Sequence, residues 1–179
     1  METSLENLMY PIGRFSAADS YNERNLITWI RSIKTVPLLF DRCIENLDEA
    51  QLKVPYRPQG WNTAQVIHHV ADSHMNAYIR LKLALTEDKP SISPYNEKLW
   101  AELPDVTKVP LNMSVTLLHA LHARWSTLLE NLAEEDWKRS YYHPENKEYV
   151  QVWQMTQHYA WHGAHHAQQI ISLRRRMGW

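Results

Sequence analysis

The sequence predicts an all-α protein, a four-helix bundle preceded by an irregular N-terminal arm. Glycine occurs only four times in 179 residues, while Leu, Ala, Glu and Lys, which favour helices, are common. Apolar residues recur with helical spacing in four stretches, whereas the alternation typical of strands is weak throughout. Long helices joined by long loops fit a bundle with either up-down or up-down-down-up connections. The four stretches, in a single domain spanning 1–179, are about 20–47, 62–86, 114–132 and 150–176.

The first helix is expected to follow an arm formed by residues 1–19. Ser20 and Glu23 have the Ser-x-x-Glu spacing of a capping box, which places the start of the helix there. Pro37 lies inside the helical pattern and should kink the helix or mark a break. Cys43 lies at the edge of the apolar stripe, so we expect it to serve as a small buried hydrophobic residue.

The second helix has a clear start and carries three histidines. Asn62 can cap the helix and Gln65 can complete a capping box. By helical spacing, His74 points to the centre of the apolar face, His69 to its flank and His68 away from it. Periodicity therefore favours His74 as the buried histidine of this helix.

Two long connections are predicted, and only the first, residues 87–110, contains candidates for the lining of a functional site. Residues 87–110 contain four prolines, and a loop of this length in a compact domain is often functional. It also carries Tyr95 and Trp100, which are candidates for the lining of a cleft. After it, the third helix places His122 on its apolar stripe, and residues 133–149 form another connection.

The fourth helix contains the strongest chemical signal in the chain. His162 and His166 are four residues apart on its apolar stripe, close enough to share a metal ion. Burying a polar group without a partner costs roughly 1–3 kcal/mol, so the pair needs a partner. A third ligand could come from His69, His74 or His122, which would leave one position open, as in catalytic sites. Alternatively, these are core histidines bonded to carbonyl or tyrosine hydroxyl groups.

Composition excludes several other functions. The net charge of −1 offers no basic field for nucleic acid or an anionic membrane, and no stretch resembles a membrane span or signal peptide. A single Cys excludes an internal disulfide and suits a reducing, cytoplasmic location. The chain has neither a Gly-rich phosphate loop nor a G-x-S-x-G elbow. Arg174–Arg176 are expected to be a solvated helix end, where cations favour the helix dipole.

Several short motifs are spaced along nearly the whole chain. They include Tyr56-Arg57-Pro58-x-Gly60-Trp61, Val66-Ile67-His68-His69-Val70-Ala71-Asp72-Ser73-His74-Met75-Asn76-x-Tyr78-Ile79-Arg80, Leu118-His119-x-Leu121-His122-x-Arg124-Trp125, Tyr142-His143-Pro144 and Tyr159-Ala160-Trp161-His162-x-x-His165-His166. In these motifs and their spacing, the chain resembles the DinB/YfiT-like superfamily, and within it the YfiT branch.

The resemblance implies a four-helix bundle, typically a homodimer, that holds one divalent metal through three histidines. Matched to this sequence, they are His69, His162 and His166. The resemblance overrules His74 as a ligand and makes it a neighbour of the ligands instead. Where the branch carries a further histidine, this chain has Gly163, which costs about 1 kcal/mol relative to Ala in a helix and suggests close packing there.

Other residues near the expected triad are candidates for supporting roles. Asp72, Asn76, Tyr159 and His165, with His74, are expected to orient the metal ligands, because such partners fix the imidazole rings. Three of them, Tyr159, His74 and Asp72, are also candidates for a general base.

The function implied by the resemblance is that of a metal-dependent enzyme, with zinc or nickel as the metal. Relatives are known as metal-dependent hydrolases, and parts of the superfamily transfer low-molecular-weight thiols such as bacillithiol to electrophilic small molecules. The YfiT branch favours thiol transfer, although hydrolase is the usual description. The alternative is a non-catalytic metal- or ligand-binding bundle, in which His74 or His122 would close the fourth position.

Overall fold

The chain folds into four long helices, linked by segments that contain short helices and one hairpin. A computed structural model describes residues 4–179. In chain order the elements are α1 (Leu5–Met9), α2 (Glu23–Ile44), α3 (Glu49–Leu52), α4 (Thr63–Thr86), α5 (Glu97–Trp100), α6 (Pro104–Lys108), α7 (Leu111–Glu130), a 3₁₀ helix (Asp136–Lys138), β1 (Ser140–His143), β2 (Glu148–Gln151) and α8 (Val152–Met177). The predicted all-α, four-helix bundle is confirmed, with α2, α4, α7 and α8 as its helices.

The long helices have an up-down-down-up arrangement. Both α2 and α4 pack against α7 and α8, so α2 and α4 lie on a diagonal of the bundle. Val36 of α2 packs against Gly163 of α8, and Cys43, further along α2, contacts Ala167, further along α8. Because both pairs follow the same chain direction, α2 and α8 are parallel. The histidine contacts described below make α4 antiparallel to α8 and parallel to α7.

The start of α2 differs from the predicted start. Asn22 caps the helix, because its side-chain oxygen accepts a hydrogen bond from the backbone N–H of Asn25 at 2.9 Å. The predicted start at Ser20 is therefore two residues too early, and the helix ends at Ile44 rather than near residue 47. At α4 the predicted capping box of Asn62 and Gln65 is present in full.

Pro37 does not mark a break, the second of the two predicted outcomes, because α2 continues through it to Ile44. Proline has no backbone N–H, so the carbonyl of Ile33, four residues earlier, loses its usual helical donor. That carbonyl instead accepts a hydrogen bond from Nδ1 of His122 on α7 at 2.6 Å. A side chain from a neighbouring helix thus replaces the missing backbone bond.

The connecting segments are more regular than the sequence indicated. The arm contains α1, the connection at 87–110 contains α5 and α6, and α7 begins at Leu111, three residues earlier than predicted. The connection at 133–149 contains the 3₁₀ helix and most of an antiparallel hairpin, in which Ser140 pairs with Gln151. Strands of four residues are too short to give a clear alternating pattern, so periodicity missed them.

The bundle interior is apolar near Cys43 and polar near the histidines. Cys43 is fully buried, which confirms the predicted role as a small core residue, and its burial raises the pKa of the thiol to about 12. Among residues 4–179, no helix combines the length and apolar character needed to cross a membrane.

Candidate metal centre

Three histidines from two helices meet at one wall of a large cavity. One ring nitrogen from each of His69 on α4 and His162 and His166 on α8 lies within 4.8 Å of the other two. These side chains line a cavity of about 1130 Å³. The helical spacing of His162 and His166 places their rings one turn apart and edge to face, with centroids separated by 4.5 Å. The structure therefore brings together the three residues indicated by the resemblance.

The three imidazoles are in the state that metal binding requires. Burial lowers the pKa of His69 to about 4. Burial also lowers the pKa values of His162 and His166 well below their ordinary value, and the neighbouring imidazoles lower them further. At neutral pH all three rings are uncharged, and a neutral imidazole is the form that donates a lone pair to a metal.

A chain of hydrogen bonds runs from α2 through two histidines to His162. The Ile33 carbonyl can only accept, so Nδ1 of His122 carries the proton and its Nε2 accepts. Nε2 of His122 lies 2.9 Å from Nδ1 of His74, which must therefore donate. Nε2 of His74 then accepts from Nδ1 of His162 at 3.0 Å. The chain assigns the proton of His162 to Nδ1 and leaves the lone pair on its Nε2 free for a metal.

A second and shorter chain orients His166. Nε2 of Gln169 donates to the carbonyl of Met9 at 2.9 Å, so its Oε1 faces the other way. Oε1 accepts from Nδ1 of His166 at 2.9 Å, which again leaves Nε2 of the ring free. The same Gln169 nitrogen lies 3.0 Å from Nε2 of His165. His165 thus contacts Gln169 and lies outside the cluster formed by His69, His162 and His166.

The remaining predicted supporting residues are divided between the cavity and positions outside it. His74 bonds directly to His162, and Tyr159 lines the cavity with its ring 5.5 Å from that of His162. Asp72 and Asn76 do not line the cavity. Instead, the side chain of Asn76 donates to the backbone carbonyl of Asp72 at 2.9 Å. Helical spacing alone could not show that these two side chains face away.

Of the three candidates for a general base, only Tyr159 reaches the cavity. His74 has both ring nitrogens bonded to other histidines, and Asp72 lies outside the cavity. Burial raises the pKa of the Tyr159 hydroxyl, an effect that the Ser73 hydroxyl and the Arg80 guanidinium partly oppose. The phenol therefore stays protonated at neutral pH, which suits a hydrogen-bond donor better than a base.

Two other histidines of the motifs stabilise contacts away from the cavity. His68 was predicted to point away from the apolar face, but it is buried, with Nδ1 2.8 Å from Oγ of Ser114. It therefore joins α4 to α7. His119 lies on the surface, with Nε2 2.8 Å from a carboxylate oxygen of Asp41.

The prediction that Arg174–Arg176 form a solvated helix end is only partly right, because two of these arginines bond to backbone carbonyls. Arg174 donates from Nη1 to the carbonyls of Arg42 and Cys43 at 3.1 and 2.9 Å. These carbonyls belong to the last turn of α2, where a cation compensates the helix dipole. Arg176 donates to the carbonyl of Tyr56 at 2.6 Å. Two of the three arginines thus fasten α8 to other parts of the fold.

Gly163 allows α8 to approach α2 and the histidine chain. A Cβ atom at this position would lie 2.5 Å from Cγ2 of Val36 and 3.3 Å from Cε1 of His74. The first distance is shorter than Cβ atoms normally show, so a larger residue here would force Val36 to move, and glycine avoids this. The close packing that the sequence suggested here is confirmed.

The cavity walls come from segments that sequence periodicity left undescribed. The N-terminal arm, the connection after α4 and the β1–β2 hairpin all contribute. Examples from these segments are Tyr10, Tyr95, Glu97 and His143. Of the two aromatic candidates predicted in residues 87–110, Tyr95 lines the cavity, while Trp100 packs on Tyr95 with ring centroids 4.5 Å apart. Trp161 on α8 also lines the cavity.

Arg80 is a cavity residue to which the sequence analysis assigned no role. It lies on α4 and lines the same cavity as His69 and Ser73. A signal was available, because the three residues follow one another at spacings of four and seven, which keeps them on one face of a helix. The signal is weak by itself, since charged residues at such spacings are usually solvated.

Comparisons with known proteins show the family of this chain. The family model described as the DinB superfamily matches residues 33–170. Two proteins, each named "Putative metal-dependent hydrolase", from Bacillus cereus (strain 03BB102) and Bacillus thuringiensis subsp. konkukian (strain 97-27), are 47% identical over 175 residues, which are 98% of this chain and 100% of each relative. The structure of YfiT from Bacillus subtilis, described as "a probable metal-dependent hydrolase with an unusual four-helix bundle topology", matches with a TM-score of 0.94 and 44% identity, over 97% of this chain and 99% of that one. This chain belongs to the DinB superfamily.

Proposed function

We propose that the protein is a metal-dependent hydrolase whose divalent metal is held by His69, His162 and His166. The observation that carries this proposal is the convergence of three neutral imidazoles on a large cavity. Within residues 4–179, no further His, Cys, Asp or Glu joins this cluster, and His74 and His122 are bonded elsewhere. Three protein ligands with one open position are typical of catalytic rather than structural zinc sites.

The chain's own residues prepare the site for hydrolysis. A divalent metal with an open position activates water and polarises a carbonyl oxygen at neutral pH. His74 and Gln169 hold protons on the outer nitrogens of His162 and His166, so the rings keep a fixed orientation. The protonated Tyr159 hydroxyl can donate a hydrogen bond to an oxygen that becomes negative during the reaction.

Transfer of a low-molecular-weight thiol to an electrophile is the second candidate. One observation favours it: the cavity of about 1130 Å³ exceeds the roughly 300–1,000 Å³ typical of a site for one small molecule. That volume leaves space for a thiol beside the substrate. The same three histidines would serve, because a metal can also bind a thiol in its nucleophilic, deprotonated form.

Metal content tests the ligand set first. We expect about one equivalent of zinc or nickel per chain in the purified protein, both being suited to an all-imidazole site. His166→Ala should lose most of it, and His69→Ala/His166→Ala all of it. His119→Ala, which removes an exposed histidine, is the matched control and should retain the metal. Full occupancy in the double variant would overturn the proposed triad.

Activity then separates the two reactions. The apoprotein, prepared with a chelator and reloaded with zinc or nickel, is tested on aryl esters, amides and thiol-reactive electrophiles, with and without a thiol. Metal-dependent turnover without thiol supports hydrolysis, whereas turnover that requires thiol supports transfer. A metal-loaded protein that turns over neither esters, amides nor thiol-reactive electrophiles would support a non-catalytic binding protein instead.

A further inference from the structure

The guanidinium of Arg80 is a buried cation without an anionic partner. Its residue is only 8% exposed, and it lines the cavity that also holds the three histidines. Nη2 donates to the carbonyl of Ser93 at 3.2 Å. Nε is buried and has no hydrogen-bond partner within residues 4–179. Leaving a buried charge unpaired is unfavourable, so this arrangement needs an explanation.

The carboxylates near the cavity do not supply the missing partner. Glu97, Glu102 and Glu145 contribute to its lining, but all three are exposed. In the part of the chain that the structure describes, the ion pairs within 4 Å involve other cations and none includes Arg80. Apart from the Ser93 carbonyl and the Tyr159 hydroxyl, no group among the described residues is paired with this guanidinium, so its charge is left for a molecule in the cavity to neutralise.

Arg80 lies on the same side of α4 as the metal-binding position. His69, Ser73 and Arg80 share one helical face, and at about 1.5 Å per residue the backbone of Arg80 lies roughly 16 Å along the helix from that of His69. Long side chains on a helix lean toward its N-terminus, which here is the direction of His69. Tyr159, whose hydroxyl interacts with Arg80 and whose ring lies 5.5 Å from that of His162, stands between the two positions.

We propose that Arg80 binds an anionic group of the substrate, a carboxylate or phosphate held apart from the group that reacts at the three histidines. The planar guanidinium fork matches both groups and forms strong charge-assisted hydrogen bonds with them. The inference rests on the proposed function for the reactive end of the substrate. It adds that the substrate is an elongated molecule with an electrophilic group at one end and a negative charge at the other.

A purely structural role for Arg80 would have different consequences. Its bond to the Ser93 carbonyl could serve only to hold the connection after α4 in place. Removing such a bond would weaken the binding of charged and neutral ligands alike. A substrate-binding role would change the preference between them, so the preference is the quantity to measure.

The probes are two-ended molecules that carry a hydroxamate, which binds metals, and a variable second end. The series comprises the monohydroxamates of succinic, adipic and suberic acid, each compared with its neutral terminal amide and its terminal phosphonate. Their dissociation constants are measured by calorimetry on the metal-loaded protein. For the probe whose chain length fits best, we expect the charged form to bind roughly 10- to 100-fold more tightly than the form with the terminal amide. The carboxylate-to-phosphonate ratio identifies which anion fits better.

Variants locate the source of that preference. Arg80→Gln should reduce the charged-to-amide ratio to near one, while Arg80→Lys should retain part of it. Lys98→Gln removes an exposed cation that also lines the cavity and is the matched control, so its ratio should stay close to that of the wild type.

The possible failures have different meanings. If no hydroxamate binds in a metal-dependent way, the proposed metal site is wrong. If the hydroxamates bind but charged and amide ends bind equally in the wild type at every length, the role of Arg80 is wrong. This comparison needs no variant, so it decides the question even if Arg80→Gln fails to fold. A preference that survives unchanged in a folded Arg80→Gln would also overturn the inference.

Discussion

Two neighbouring histidines of α8 are oriented by very different parts of the chain. Behind His162, the hydrogen bonds pass through buried His74 and His122 and end on α2 in the bundle interior. Behind His166, one glutamine leads to the carbonyl of Met9 in the N-terminal arm, at the end of a short helix with no buried residues. We call the hydrogen bonds behind His162 the core-side chain and those behind His166 the arm-side chain. The core-side chain can change only if the bundle repacks, whereas the arm-side chain depends on a surface segment.

The comparison shows how one site can combine a rigid and an adjustable ligand. Both chains end on a backbone carbonyl, which can only accept a hydrogen bond. Each chain therefore fixes which ring nitrogen of His162 or His166 carries the proton. The two chains differ in the free energy that is lost when one of their hydrogen bonds is broken. A buried group that loses its partner cannot turn to water, but a group near the surface can.

Removing the middle of the core-side chain should have the largest effect. His74→Leu takes away the acceptor of His162 and leaves Nε2 of His122 buried without a donor. We expect zinc affinity to fall about 100-fold, the upper end of the range for partners of metal ligands. Competition with a chromophoric chelator measures this. An affinity equal to that of the wild type would show that His74 does not orient the site.

The arm-side chain should be less sensitive. In Gln169→Leu we expect zinc affinity to fall about tenfold, because water can replace part of the lost hydrogen bond to His166. Gln168→Leu is the matched control, since Gln168 is directed toward Ser172 instead. A larger loss in Gln169→Leu than in His74→Leu would reverse the comparison drawn between the two chains.

Acid should weaken the core-side chain through His122. Burial lowers the pKa of this residue to about 4, against its ordinary value of 6.5, so the folded protein resists a proton that the unfolded chain accepts. The resulting stability is complete above pH 6.5 and declines as the pH falls toward 4, by at most about 1.4 kcal/mol for each pH unit.

Urea unfolding of the apoprotein at several pH values between 7.5 and 5 measures the total decline, to which His69, His162 and His166 contribute with the same sign. His122→Gln should unfold with a flatter pH dependence than the wild type. Asp72 contributes with the opposite sign, because burial raises its pKa to about 6, and Asp72→Asn should therefore steepen the decline. A decline in His122→Gln as steep as that of the wild type would contradict the assignment of His122 as a neutral core residue.

The smallest effect is expected at the origin of the core-side chain. Pro37→Ala restores a backbone N–H that competes with His122 for the carbonyl of Ile33. A carbonyl has two lone pairs, so His122 should keep a weakened bond, and zinc affinity should fall by roughly two- to fivefold. The same chelator competition detects it. A loss as large as that of His74→Leu would mean that Pro37 matters for packing rather than for this carbonyl.

Local sequence patterns determined the helices and the pair on α8. Helical periodicity, capping residues and the spacing of His162 and His166 are properties of single segments, so they can be read without knowledge of the partners. The capping box at Asn62 fixed the start of α4 for the same reason. Periodicity could not choose the third histidine and favoured His74, and only the resemblance to a family indicated His69.

The tertiary structure decided which side chains meet across helices. His69 and His74 are both buried on α4, but one faces the cavity and the other bonds to His122 and His162. That difference depends on how α4 is rotated against α7 and α8. The close approach of the helices at Gly163 and the segments that wall the cavity are equally non-local. The physical reason is that periodicity gives the face of a side chain on its own helix, whereas the partner of that face is set by packing between segments far apart in the chain.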